Sequence, residues 1–117
     1  MIAMVSQAAF VVEENMLGAT AGDMQGQYSD PNHPGCPRAL IVFTETTGAM
    51  YGNDDCTGLS DPWGPLPTTI ADDLSIVVDF SSKGGPSDLP GAYALADGAE
   101  LGTITWSDGN VWTQTLH

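Results

Sequence analysis

Basic residues are almost absent from this chain: Arg38 and Lys83 stand alone against fifteen Asp and Glu, for a net charge of −13. A surface so negative repels phosphate backbones and anionic lipid heads, which excludes nucleic-acid partners and lipid binding driven by charge. The acids are scattered as singles and pairs (Glu13-Glu14, Asp54-Asp55, Asp72-Asp73), so they describe a solvated surface more than an acidic tail. Cationic partners, or a salty or acidic compartment, remain compatible with it. No apolar run reaches the roughly 18 residues that span a bilayer. The opening MIAMVSQAAFVV looks like the apolar part of a signal peptide, but no Lys or Arg precedes it and Glu13-Glu14 follow at once. Internal repeats and low-complexity segments are also missing. Cysteine is sparse, with Cys36 and Cys56 only.

Glycine and proline are abundant instead, at fourteen and eight of 117 residues. A chain of this length is one domain with a real core, and this composition suits short strands joined by tight turns. Residues 2–17 space Ile2, Val5, Ala9, Val12 and Met16 by three and four, which predicts a short helix or an extended arm. We assign residues 1–22 to an N-terminal docking arm and 23–117 to an all-β domain. That domain is expected to be a small antiparallel barrel or sandwich of seven or eight short strands. MQGQYS, ALIVFTET, the stretch after a turn expected at Thr47-Gly48, LSIVVDF, AYAL and ELGTITW read as its strands. TGLSDPWGPLP holds three prolines and reads as a long loop carrying Trp63. In TITWSDGNVW, Asp108-Gly109 predicts a two-residue hairpin turn, with Trp106 opposite Val111. That register sends Trp106 and Trp112 to opposite faces, unless a further element covers both.

Chemistry is harder to find. His33, Cys36, Cys56 and His117 are the soft ligands, but Pro34 and Pro37 break the usual knuckle spacing, and neither zinc nor calcium is expected. Cys36 and Cys56 flank one predicted hairpin, so a structural disulfide is the simpler reading, and with it an oxidising compartment. Ser29, Asp30 and His33 are neighbours in sequence, whereas a catalytic triad joins separated elements. Ser81-Ser82-Lys83 matches neither an acyl-enzyme nor a phosphate-loop spacing. No catalytic residue and no cofactor is therefore assigned. Arg38 ends one Gly/Pro-rich corner and Lys83 opens another. We expect them to form a charge lock with Asp30, Asp79 or Asp88 across the open end of the barrel, with an anion-binding pair as the alternative.

GQYSDPNHPGCPR, VDFSSKGGPSDLPGAY and SDGNVW together resemble the signature of a family of small β-barrel proteins found in algae, plants and bacteria. The likeness covers roughly residues 26 to 112. Ser82 departs from it, because a proline often stands there in the family. The Gly-x-aromatic opening at Gly26 is also similar to that of calycin barrels. The resemblance implies a fold and brings no reaction with it. An algal source, with the acidic surface and an oxidising compartment, implies an accessory subunit docked on a larger complex, such as a photosystem in a thylakoid lumen. Its docking face would be Val5, Ala9, Val12 and Met16. The alternative is a small barrel binding an apolar or sugar-like ligand, lined by Trp63, Trp106 and Trp112 with Tyr28, Tyr51 and Tyr93.

Overall fold

The computed structural model describes residues 18–56 and 62–117. The docking positions Val5, Ala9, Val12 and Met16, and the helix or arm expected over 2–17, lie outside the described residues. A 3-10 turn over Ala21–Met24 leads into eight strands: β1 (Gly26–Ser29), β2 (Arg38–Val42), β3 (Thr47–Asn53), β4 (Pro62–Ile70), β5 (Ser75–Val78), β6 (Leu89–Ala94), β7 (Thr103–Trp106) and β8 (Val111–Leu116). Each strand pairs antiparallel with the next, and β8 returns to β1. The sheet is a closed up-and-down barrel. Closure leaves no edge strand exposed, and the strands alternate inward and outward side chains as a sheet with one buried face must. Among the described residues no helix is long and apolar enough to cross a membrane.

The middle of the barrel is filled. Met24, Leu40, Met50, Leu66, Val78 and Ile104 are completely buried there. One end is closed by the turn Ala21–Met24, whose Ala21 and Met24 join the core. Gln114, buried at this end, uses its whole amide. Its Oε1 accepts from the Tyr93 hydroxyl and the Gly102 amide, both at 2.8 Å, and its Nε2 donates to the Asp23 and Gln25 carbonyls at 2.9 and 3.1 Å. The Tyr28 hydroxyl donates to the Met24 carbonyl at 2.5 Å.

Two expectations about the sheet are overturned. The proline-rich segment is not a loop, because Trp63-Gly64-Pro65-Leu66-Pro67 lies within β4. Proline is tolerated there because this half of β4 is laddered along one side only. Pro62, Leu66 and Pro67 pair with Asn53, Met50 and Ala49 of β3, whereas pairing with β5 is confined to Thr68–Ile70. A missing N–H on the unpaired side breaks no inter-strand bond. Thr47-Gly48 likewise opens β3 and is not a turn.

The β7–β8 register is also shifted by one. Thr105 pairs with Val111 and Ile104 with Trp112, and the Trp106 amide donates to the Asn110 carbonyl at 2.8 Å. The turn therefore has three residues, Ser107 to Gly109, with Gly109 in the left-handed region at φ 93°. Such loops follow a tight turn with one left-handed residue, and glycine meets that need without strain. A one-residue shift of register inverts the facing of a strand. Here it places both Trp106 and Trp112 inside.

Candidate ligand-binding site

The loops after β1, β3, β5 and β7 meet at the end of the barrel opposite the 3-10 turn. Cys36, just before β2, and Cys56, just after β3, are joined there in a disulfide. The bond ties the outer ends of the β2–β3 hairpin, stabilising by roughly 3 kcal/mol on the loop-entropy account. Neither sulfur is a thiolate, and His117 follows β8 at the other end, so the four soft ligands do not converge.

Arg38, the first residue of β2, points inward and is 2% exposed. Its guanidinium carbon lies 5.3 Å from the Trp63 ring centroid and 5.5 Å from that of Trp112. Nη2 donates to Asp54 at 2.6 Å and reaches Asp30 at 3.3 Å, and Nη1 donates to the Asn53 carbonyl at 3.0 Å. Lys83, at the end of the 3-10 turn Ser81–Lys83, donates to the other oxygen of Asp54 at 2.8 Å. Asp54 thus bridges the only two basic residues of the chain. Burial pushes its carboxyl up, but hydrogen bonds from Lys83 and Arg38 outweigh that and hold it far below the usual carboxylate range. Desolvation of Asp30 is likewise outweighed by hydrogen bonds from Asn110, His33 and the Asn32 amide, together with the Arg38 charge, and its pKa is lowered.

Among the expected partners of the two cations, Asp30 is in place. Asp79 is not: its carboxylate accepts the Ser81 amide at 2.9 Å. Asp88 stands exposed in the loop after β5. Asp54 is not among the partners expected from sequence, where it reads as one half of a scattered acidic pair. Its position two residues before Cys56 was the available signal, since Arg38 stands two residues after Cys36.

Four aromatic rings gather beside the lock. Phe80 meets Trp63, Trp106 and Trp112 edge to face at 6.0, 5.6 and 6.3 Å, and Trp106 meets Trp112 at 4.9 Å. Gly91 permits this packing, because a Cβ there would stand 2.8 Å from the Trp106 ring. These aromatics line a cavity of about 170 Å³ together with Arg38, Lys83, Asp30 and His33. The three tryptophans proposed from sequence as ligand-lining are therefore in one wall. Tyr28 and Tyr93 are not, as both belong to the closed end, and Tyr51 is 37% exposed.

His33 Nδ1 is 3.0 Å from Asp30 Oδ2, the arrangement of an oriented base. Ser29 faces outward and offers it no nucleophile. What the site can do chemically is hold a small molecule between aromatic walls and a set of nitrogen donors.

No protein-family model matches this chain, and no match was found among curated proteins or solved structures.

Proposed function

We propose that the protein is a small-molecule-binding β-barrel whose site is the aromatic-walled cavity at the disulfide-tied end. The carrying observation is the contrast along the barrel axis. The middle is packed solid, while Trp63, Phe80, Trp106 and Trp112 surround empty space beside Arg38 and Lys83. Apolar walls with a few fixed polar groups are the usual construction of a small-ligand site, and this volume suits a ligand below drug size. Binding, without catalysis, is the role these residues support. The test is a fragment screen read by tryptophan emission and by indole N–H resonances. Fragments that bind should perturb Trp106 and Trp112 saturably, and Trp63→Phe should weaken them several-fold without unfolding the barrel. Fragments that bind only at surface residues would sink this reading.

A second role is docking on a larger complex, with a photosystem in a thylakoid lumen as the finer form of that proposal. Phe43 and Leu116, 62% and 55% exposed, are apolar side chains at the end where the chain enters the barrel, and they support an interaction surface there. An oxidising compartment agrees with the disulfide.

A further inference from the structure

Buried polar groups ordinarily find partners, and a donor left without one costs about 1–3 kcal/mol. At the closed end of this barrel the rule holds, with all four hydrogen bonds of the Gln114 amide made inside the protein. At the cavity end it fails. Trp63 Nε1, on a half-buried ring beside Asp54, has no hydrogen-bond partner among the described residues, and neither do three more deeply buried atoms, Arg38 Nε, Trp106 Nε1 and Trp112 Nε1. All three belong to residues that line the cavity and that are at least nine-tenths buried. All three atoms are donors that cannot accept. No buried side-chain acceptor is left unpaired among the described residues.

From this asymmetry we infer that the cavity takes a small neutral molecule carrying a carbonyl-type oxygen, an acceptor with no donor of its own, on an apolar body. The inference rests on the ligand-binding reading above. Three observations narrow the class. The unpaired set asks for lone pairs and offers no matching acceptor for a ligand O–H or N–H. Arg38 and Lys83 are already neutralised by Asp30 and Asp54, Asp108 adds a further carboxylate to the lining, and the chain carries −13, so a free anion meets no net attraction. The inner walls are the rings of Trp63, Phe80, Trp106 and Trp112, which desolvate an apolar body, while the polar Asn32 and Asp108 of the lining stand at its exposed rim. About 170 Å³ corresponds to roughly six waters, the size of a single ring.

Four six-membered-ring probes separate the possibilities: cyclohexanone, methylenecyclohexane (no oxygen), cyclohexanol (an added donor) and cyclohexanecarboxylate (an anion). Titrations into the whole protein are followed by ¹⁵N–¹H spectra of its three indoles. Trp106→Phe and Trp112→Phe serve for assignment, and if either fails to fold, the wild-type count of shifted indoles still decides. Cyclohexanone is expected to bind about tenfold or more tighter than methylenecyclohexane, and to move two of the three indole N–H signals downfield. Equal affinity of methylenecyclohexane overturns the acceptor inference and leaves the ligand-binding reading standing. Tighter binding of cyclohexanol overturns the acceptor-only inference, and tighter binding of the carboxylate overturns the neutral one. If none of the four perturbs these indoles, the ligand-binding reading fails as well.

Discussion

At the scale of single residues, Asp54 decides how this end of the barrel is held. Arg38 is buried between two tryptophan rings, and a guanidinium so placed needs counter-charge or it destabilises the fold. Asp54 supplies it while holding Lys83 over Trp63, whose ring centroid is 5.0 Å from the Lys83 nitrogen. Asp54→Ala is expected to destabilise by about 2–3 kcal/mol at neutral pH, below the largest buried-pair losses because the Asp54 side chain is 32% exposed. Urea denaturation measures it. The pH dependence has a definite sign. Asp54 and Asp30 both have folded pKa values below their unfolded values, so they stabilise the fold fully above the unfolded carboxylate pKa of about 4. That contribution is lost as pH falls through the lower folded values. Wild type should therefore lose its advantage over Asp54→Ala progressively as pH falls below about 4 and keep it at pH 7. An advantage that grew on acidification would contradict the bridging role.

At the scale of elements, the β7–β8 hairpin places the cavity wall. Its three-residue turn sets the register that sends Trp106 and Trp112 inward together, and the turn depends on Gly109 at φ 93°. Space is not the constraint, since nothing lies within 4 Å of an added Cβ. The backbone conformation is. Gly109→Val should cost roughly 2 kcal/mol, a fall in Tm of roughly 5–10 °C, whereas Gly109→Asn should lose much less because Asn tolerates the left-handed region. Equal stability of the Val and Asn variants would show that the turn relaxes to another type. β4 illustrates the same dependence of an element on its neighbours. Its proline-bearing half survives as a strand because β5 is too short to reach it.

At the scale of the whole molecule, the two ends of the barrel have different constructions. One is plugged by Ala21–Met24 and the fully bonded Gln114. The other is tied by the disulfide and the Arg38–Asp54–Lys83 bridge and keeps a cavity. Among the described residues the core is closed by residues from Ala19 onward, and deletion of residues 1–17 should leave a folded barrel with cooperative thermal unfolding. If the docking role holds, the same deletion should abolish co-purification with a larger complex from source material. A shortened chain that still co-purifies would remove that role, and the ligand-binding proposal would be untouched.

Composition, alternation and punctuation were enough to determine an all-β barrel or sandwich of about eight short strands. They also showed the disulfide between Cys36 and Cys56 and the presence of a turn at Asp108-Gly109. These features are legible because each depends on residues close in sequence: a strand's two-residue period, a hairpin's two ends, a glycine's freedom. Asp30 as a partner of Arg38 and the three tryptophans of the wall were legible as well, whereas the long-range contacts that assemble the site were not. Asp54 meets Lys83 across 29 positions and Gln114 meets Asp23 across 91, and no local pattern marks such pairs. The strand containing Pro62, Pro65 and Pro67 was hidden for a related reason, since only the length of β5 decides whether their missing N–H groups matter. The register of β7 and β8 turned on one residue of turn length, a small difference in local energy that inverts which face is buried. Closing the barrel settled it, because only the observed register puts both tryptophans out of water.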